Sequence, residues 1–306
     1  MERGIGEIRS ALIEGGEIVE ARIMLEGVVP AGTVLDARLT QVRGPAIAVA
    51  GGQEYLLPQG APGATEGTQL KIEVTRETIP GGEPWKRPLA RVSEGAGGAT
   101  LEGGFLPFPA PDDPLETAGW SDLLDEARSG IVRFAGGELR VSPTPAMTLI
   151  DVDGYLPALD LALAGAQAAA RSILRHGIGG SIGVDLPTVA GKGERLRIAE
   201  AVDAILPQPF ERTAVNGFGF LQIVRARRHA SLFELAADRA AFEARALLRI
   251  AARCVGATRV TAPPAVIRLF EQRPEWTEAL ARQVGGQVRL HVDPALPMSG
   301  GYAAED

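Results

Sequence analysis

The stretch AMTLIDVDGYLP, residues 146–157, frames the interpretation of the whole chain. An apolar run leads directly into two acids, Asp151 and Asp153, which are followed by Gly154. Such a run, bounded by turn residues, is typical of a buried strand, and this one ends in carboxylates. Three interpretations are open at this point: the nucleophile motif of a phosphatase, half of a metal site for another phosphoryl reaction, or an acidic turn.

The sequence around this stretch predicts an α/β region. A hairpin pattern precedes it at 130–143 and is centred on the glycine pair at 136–137. Helix and strand patterns then alternate after it, at 158–177, 180–187, 191–206 and 212–227, with Gly177 as the stop signal of the first helix. This alternation predicts a mostly parallel sheet.

A second apolar strand pattern also ends in an aspartate, Asp185, which lies 34 positions after Asp151. That spacing fits one β-α-β unit, whose parallel strands are often adjacent and would bring both carboxylates to one edge, about 5 Å apart. Open α/β sheets bind their ligands at this edge. Two carboxylates so close repel each other unless a proton or a cation lies between them, and Mg²⁺ suits carboxylate and phosphate oxygens. The alternative is that each aspartate only caps the turn that follows it.

Composition narrows the function classes. The chain has 306 residues and a net charge of -7, with 31 Lys and Arg against 38 Asp and Glu, so any nucleic-acid binding would depend on local basic patches. The single cysteine, Cys254, excludes an internal disulfide and a Cys-based zinc site within one chain. No membrane span and no signal-peptide pattern are found in the sequence. These features favour a cytoplasmic protein with no membrane contact.

The domain organisation follows from changes of pattern along the chain. Residues 1–95 predict a β-rich region, since short strand patterns alternate with glycine and proline there. Residues 96–116 predict a linker, 117–234 the α/β region, and 235–306 a small α/β domain. The tail from 298 to 306 is predicted to be disordered. The fold class is therefore a mixed α/β chain with several domains.

Three segments together resemble the ribonuclease E/G family. They are GGELRVSPTPAMTLIDVD at 136–153, GAQAAARSILRHGIGGSIGVD at 165–185 and NGFGFLQIVRARR at 216–228. The first two look like the strands that lead to the family's two catalytic acids, and the third looks like the segment that ends in a basic run. The resemblance is specific from about 136 to 228 and loose elsewhere. It implies an OB-type RNA-binding barrel at about 34–95, inserted in an RNase H-like fold, and a deoxyribonuclease-I-like catalytic domain.

The resemblance also implies an activity. Asp151 and Asp185 match the family's catalytic acids, which hold a Mg²⁺ ion that activates water and stabilises the charge on the scissile phosphate. Asp153 stands where the family commonly has asparagine and could add a third carboxylate to the metal. The implied reaction is internal cleavage of single-stranded RNA that leaves 5'-phosphate and 3'-hydroxyl ends. The candidate RNA contacts are Tyr55, Arg76, Lys86, Arg87, Arg91, Lys192, Arg195, Arg225, Arg227 and Arg228.

The chain departs from the family's pattern in several places. With Cys254 alone, the family's zinc link between subunits is not expected, so no zinc is predicted and a monomer or homodimer replaces the tetramer. The region before the catalytic part is too short for the family's 5'-end sensor. A stacking aromatic of the barrel is replaced near Ala48, which leaves Tyr55 as the nearest ring. The alternatives are a non-catalytic RNA-binding relative, or a haloacid-dehalogenase-like phosphatase with Asp151 as nucleophile and Lys192 as the later lysine.

Overall fold

A computed structural model describes residues 1–81, 86–95 and 103–306. The chain divides into two compact units, each assembled from separate stretches. The terminal unit consists of Met1–Glu26, Gly104–Ile131 and Leu232–Asp306, and the central unit consists of Gly27–Gly103 and Val132–Ser231. These units do not follow the consecutive boundaries that the sequence suggests. Part of the predicted linker, 96–102, lies outside the described residues.

The central unit begins with a closed barrel. Its strands, in barrel order, are β4 (Val34–Gln41), β5 (Ala46–Ala50), β6 (Gln53–Leu57), β8 (Leu89–Val92) and β7 (Gln69–Arg76). Alternate side chains point inward, so that Ile72 and Val74 of β7 are buried while Lys71 is exposed. The β-rich prediction for this region, and the barrel within it, are confirmed.

The rest of the central unit is a sheet with helices. The sheet order is β13 (Phe210–Arg212), β14 (Phe220–Arg225), β12 (Gly180–Asp185), β11 (Thr148–Gly154), β10 (Gly137–Pro143) and β9 (Ile131–Phe134). Helices α3 (Ala158–Arg175) and α4 (Lys192–Asp203) connect β11 to β12 and β12 to β13. Gly177 follows the cap of helix α3 and acts as the predicted stop signal, since its φ of 66° suits glycine and its N–H donates to the carbonyl of Leu174.

The prediction of a mostly parallel sheet is wrong. Among the pairings described in this sheet, β11 and β12 are parallel, whereas β10–β11, β12–β14 and β13–β14 are antiparallel. The reason is local. After α4 the chain forms β13 and turns at Asn216–Gly219 into β14, so β14 runs back along β12 as the second arm of a hairpin.

Helix α3 packs closely on one face of this sheet because its contact side is built from small residues. Ala162, Ala166 and Ala169 are fully buried, and a Cβ at Gly165 would overlap the side chain of Val152 on β11. The alanine-dense pattern of the sequence therefore places the helix backbone near the strand. One face of β11 is covered as a result, and the other is left to carry polar side chains.

The terminal unit has two small sheets and most of the remaining helices. The first sheet contains β1 (Glu2–Arg3), β2 (Glu7–Glu14) and β3 (Glu17–Leu25), and the second contains β16 (Val288–Val292), β15 (Thr258–Ala262) and β17 (Tyr302–Glu305). The helices are α1 (Pro114–Thr117), α2 (Trp120–Ser129), α5 (Leu232–Ala237), α6 (Arg239–Ala251), α7 (Pro264–Gln272) and α8 (Pro274–Val284). Phe270, Trp276 and Leu280 are at the centre of its apolar core.

The tail of the terminal unit differs from expectation. It is ordered, because Tyr302–Glu305 pairs antiparallel with β15 and Asp306 forms ion pairs with Arg259 and Arg289. Cys254 follows α6 and packs half-buried against the core. Burial raises the pKa of its thiol. In the described part of the chain, no helix is both long and apolar enough to cross a membrane.

Candidate metal centre

The two strand-end aspartates are direct neighbours in the sheet. Strands β11 and β12 are parallel, and their register pairs Ile150 with Val184 and Asp151 with Asp185. Neighbouring strands are about 4.8 Å apart, so the two carboxylates start from adjacent backbone positions. The prediction that these residues share one sheet edge is confirmed, and it follows from the β-α-β connection through α3.

The aspartates lie on the face of β11 that α3 leaves uncovered. Burial alternates strictly along this strand, with Ile150 and Val152 buried and Asp151 and Asp153 exposed. On β12, residues 182–184 are all buried, and Asp185 at the end of the strand is exposed. The carboxylates are therefore in water at the strand ends, and a ligand would reach them from the open face.

One cation lies beside the acids. Arg140 on β10 is the register partner of Asp151, and its Nε lies 3.6 Å from Oδ2 of Asp153. The same guanidinium donates to Oε1 of Glu138 at 2.8 Å. Arg140 and Asp153 are both more than half exposed, so this pair is screened by solvent and contributes little to folding. Its consequence is electrostatic, because a positive charge beside the edge favours ionised carboxylates.

The pKa of Asp151 is raised above its usual value. Partial burial is the main cause, and the neighbouring carboxylates of Asp153 and Asp185 add to it, while Arg140 acts in the opposite direction. The carboxylates of Asp153 and Asp185 are thus close enough to disfavour the charge of Asp151. A divalent cation at this edge would remove that repulsion.

The donor chemistry fits Mg²⁺ held by few protein ligands. Carboxylate oxygens are hard donors, and Mg²⁺ sites commonly use one or two carboxylates together with waters and substrate phosphates. Within 1–81, 86–95 and 103–306, no group of three or more His, Cys, Asp and Glu side chains is arranged to hold a metal ion. Asp151 and Asp185 are therefore the pair best placed for a cation, and the third ligand, Asp153, stays a prediction. Asp153 lies two residues further along β11, about 7 Å from Asp151, and is turned towards Arg140.

Close backbone packing holds the β11 side of this edge. A Cβ at Gly154 would overlap the carbonyl oxygen of Gly136, and one at Gly137 would overlap the carbonyl oxygen of Asp153. The β9–β10 turn therefore rests directly on the end of β11, where any side chain at these positions would separate the two. The glycine pair that signals a hairpin in the sequence thus also fixes the backbone at Asp153.

A second turn holds the β12 side of the edge. The side-chain oxygen of Asn216 accepts hydrogen bonds from the N–H groups of Phe218 and Phe220, at 2.9 and 3.0 Å. Gly219 has a φ of 93°, and a Cβ there would overlap the carbonyl oxygen of Leu186. The turn is therefore fixed against the segment that follows Asp185.

The prediction that Tyr55 is the stacking aromatic of the barrel is wrong. Tyr55 is 2% exposed and belongs to the apolar core of the barrel. Its ring has no free face on which a base could stack. The reason is the strand alternation of β6, which buries Tyr55 and Leu57 and exposes Glu54. Burial also raises the pKa of the Tyr55 hydroxyl.

Several predicted RNA contacts are engaged within the chain. Arg87 pairs with Glu54 at 2.6 Å and Arg91 pairs with Glu73 at 2.7 Å, all on the barrel. Arg195 donates to the carbonyl oxygens that precede α4 at residues 189 and 190, so it stabilises the start of that helix. The arginine pairs are largely exposed and could exchange partners, whereas Arg195 has a structural role in this conformation.

The remaining predicted contacts fall into three places. Lys86 donates to the carbonyl of residue 145, near the β10–β11 loop, and Lys192 is exposed at the first position of α4. Arg225 is the last residue of β14 and pairs with Gly180, at the opposite end of β12 from Asp185, and Arg227 and Arg228 follow it. By strand rise the separation is about 17 Å, so these arginines do not act directly on the acid pair.

Two of the predicted arginines meet at that opposite end. Burial lowers the pKa of Arg76, and the nearby charge of Arg227 lowers it further. The Nε of Arg76 is buried without a hydrogen-bond partner among the described residues, although its Nη2 donates to the carbonyl of Arg87. The backbone joins the two regions, because the N–H of Glu77 donates to the carbonyl of Arg228. Two like charges held together form a place where an anion would be stabilised.

Sequence reasoning missed two contributors to the site. Arg140 is opposite Asp151 only because the register pairs residues 143 and 148, and this register depends on the loop that Thr144 closes by donating to the carbonyl of Met147. Asn216 is a turn residue whose preference for such hydrogen bonds is a usable signal, but its place beside Asp185 depends on the antiparallel return of β14.

Comparisons with known proteins do not assign this chain to a family. No protein-family model matches the chain, and no curated protein matches its sequence. The geometry of the site therefore carries the functional argument.

Proposed function

We propose that the protein is a Mg²⁺-dependent endoribonuclease that cleaves single-stranded RNA at the edge carrying Asp151 and Asp185. The observation that carries this proposal is the register of β11 and β12, which makes the two strand-end carboxylates direct neighbours on an uncovered sheet face. Carboxylates so arranged at the carboxyl edge of a β-α-β unit suit a hard cation and a phosphate ligand.

In this proposal Asp151 and Asp185 would hold Mg²⁺, which when bound supplies Lewis-acid stabilisation of phosphate and a more acidic water. Arg140 favours the ionised form of Asp151 and, because it is exposed, can also attract the incoming phosphodiester. Asp153 holds Arg140 in place by the ion pair. Asn216 and the glycine contacts keep both strand ends rigid, so the carboxylates are preorganised for charge that develops during cleavage.

The rest of the central unit supports an extended RNA contact. Arg76 at the end of β7 and Arg227 beyond β14 form a half-buried positive site away from the acids. We infer that it binds backbone phosphate, and that exposed Arg228 and the barrel residues Lys86, Arg87 and Arg91 continue the path. The closed barrel is followed along the chain by a sheet whose edge carries acids. This order supports our proposal that the barrel is of the OB type and that the sheet belongs to a deoxyribonuclease-I-like catalytic domain, as in the ribonuclease E/G family.

The second candidate is a non-catalytic RNA-binding relative, which would be a monomer or a homodimer. It is favoured by one observation: the described residues assemble a carboxylate pair but no larger metal-binding group. Such a protein would retain the phosphate contacts at Arg76 and Arg227 without hydrolysis. The phosphatase alternative gains no comparable support.

A cleavage assay tests the proposal. A single-stranded, AU-rich RNA would be incubated with Mg²⁺ or EDTA and with wild type, Asp185→Asn or Asp36→Asn. Asp36 is a matched control, because it is an exposed barrel aspartate whose partner, Lys71, is about half exposed. We expect Mg²⁺-dependent internal cuts with 5'-phosphate ends, reduced at least about a hundredfold in Asp185→Asn and unchanged in Asp36→Asn.

The other outcomes are equally informative. Equal cleavage by wild type and Asp185→Asn would contradict the assignment of the acid pair. RNA binding without cleavage in any condition would replace the nuclease by the non-catalytic relative.

A further inference from the structure

Two aromatic rings are unusually exposed for an ordered chain. Tyr155 is 85% exposed and Phe218 is 84% exposed, the highest values among the large hydrophobic side chains of the described residues. Rings of this size normally contribute to folding by burial, and in these positions they contribute almost nothing. A single exposed ring needs no explanation, but two near one site do.

The ring of Tyr155 is carried by a rigid backbone. The N–H of Tyr155 donates to the carbonyl of Gly136 at 3.1 Å, in the same close packing that fixes Gly154. The next side chain, Leu156, lies against Gly136. Tyr155 also lines a concavity of about 460 Å³ together with Phe134, Glu138 and Asp153. The ring is therefore displayed by a fixed strand end, beside one of the carboxylates.

Phe218 is displayed by an equally fixed turn. Its N–H donates to the side chain of Asn216, and its carbonyl accepts a hydrogen bond from the hydroxyl of Thr188 at 3.1 Å. Gly219, the next residue, lies in contact with the segment after Asp185. The backbone of Phe218 and the residue that follows it are thus anchored, while the ring itself remains in water.

The topology places both rings at the acid edge. Tyr155 directly follows β11, and Phe218 lies two residues before β14, which runs antiparallel to β12 with Phe220 opposite Asp185. Because the strand order is β14, β12, β11, the carboxylate pair lies between the strand ends that carry the rings. Two ordered rings therefore flank the position at which the cleaved phosphate would bind.

We propose that Tyr155 and Phe218 stack on bases of single-stranded RNA on either side of the scissile phosphate. This inference rests on the proposed function and names the side chains that hold its substrate. Aromatic stacking is a recurrent source of single-strand affinity, and it tolerates any base. Stacking would also supply affinity that electrostatics does not, since an edge that carries three carboxylates offers little attraction for a polyanion.

Stacking explains the pattern better than a protein interface does. The two rings are separated by carboxylates, whereas the core of a protein interface is depleted of charge and continuous in apolar contact. A paired duplex would hide its base faces from the rings. The substrate class is therefore unpaired RNA, and its recognition at this edge is independent of sequence.

The test measures binding without cleavage. In an Asp151→Asn background, RNA that carries 2-aminopurine is titrated with the parent and with Tyr155→Leu or Phe218→Leu, and both affinity and fluorescence quenching are recorded. Tyr302→Leu is the matched control, because Tyr302 is about half exposed and belongs to the terminal unit. Tyr155→Phe and Phe218→Tyr keep the ring and should retain binding.

We expect each leucine variant to weaken binding about tenfold and to reduce quenching, with no change in the thermal unfolding midpoint. Undiminished affinity and quenching in both variants would overturn the inference, even if wild type cleaves RNA. Ring-dependent quenching in a protein that never cleaves would support stacking and refute the nuclease. Self-association without RNA that both variants abolish would overturn stacking in favour of a protein interface.

Discussion

Charged side chains are organised in opposite ways in the two units. In the terminal unit, Arg9 is only 3% exposed and lies between two acids, with Glu2 at 2.5 Å and Asp113 at 2.5 Å. At the edge of the central unit, Asp151 and Asp185 are exposed and face each other. The first cluster is neutralised from within the chain, and the second is not.

This difference separates charges that serve folding from charges that serve binding. A buried ion must be paired, because removal from water costs several kcal/mol. Arg253 and Arg249 extend the terminal cluster through Asp113 and Glu7, so each buried acid has a cationic partner. The carboxylates at the edge of the central unit remain exposed to water. The pKa of Asp151 is raised there by partial burial and by the neighbouring carboxylates, at a modest cost in free energy. Folding does not require carboxylates that repel each other, so we expect an external cation to offset their charge.

The largest effect should follow from breaking the buried cluster. Arg9→Met leaves Glu2, which is 1% exposed, without its cation, and we expect the free energy of unfolding to fall by about 3 kcal/mol. Urea denaturation measures this loss. The matched change at the central edge, Arg140→Met, should alter stability by no more than about 0.5 kcal/mol. Similar losses in both variants would remove the distinction between the two clusters.

An intermediate effect is expected from the glycine contacts behind the acid edge. Gly154→Ala forces a Cβ against the carbonyl of Gly136 and the side chain of Leu161, and should cost about 2 kcal/mol. Gly217→Ala is the control, since a Cβ there has no neighbour within 4 Å among the described residues, and its effect should stay within about 0.5 kcal/mol. If thermal unfolding midpoints showed equal shifts, the rigidity assigned to this edge would be wrong.

The smallest effect concerns the titration of Asp151. Because its folded-state pKa is raised, the protonated carboxyl favours the native state, and this contribution is lost as pH rises through the raised pKa. Asp185→Asn or Asp153→Asn should lower the pKa of Asp151, and Arg140→Met should raise it. The change in unfolding free energy should remain below about 1 kcal/mol, since the group is exposed. NMR titration of the Asp151 carboxyl carbon measures these shifts, and an unchanged pKa in all three variants would show that the carboxylates do not interact.

The sequence predicted the parts of the site that depend on local periodicity. The adjacency of Asp151 and Asp185 follows from one strand, one helix and one strand, whose handedness leaves little freedom. The return of β14 as an antiparallel hairpin could not be predicted in this way, because an isolated apolar strand carries no direction. Tyr55 was misassigned for a related reason: the residues near Ala48 and Leu57 indicate a strand but do not say which face forms the barrel core.

Long-range pairing was beyond sequence reasoning altogether. The terminal unit joins its first strands to its last helices, with Glu7 contacting Arg245 and Arg249 across most of the chain length. No pattern within either segment marks the other as its partner. Tyr155 and Phe218 were also missed, since nothing in the sequence distinguishes an exposed ring from a core ring.

The most direct test of the central claim is a Mg²⁺ titration followed at the carboxyl carbon of Asp151 by NMR. If the acid pair binds the cation, Mg²⁺ should lower the pKa of Asp151, and the shift should disappear in Asp185→Asn but persist in Asp36→Asn. A pKa of Asp151 that Mg²⁺ leaves unchanged, or lowers equally in Asp185→Asn, would contradict a metal centre at this edge and the nuclease that depends on it.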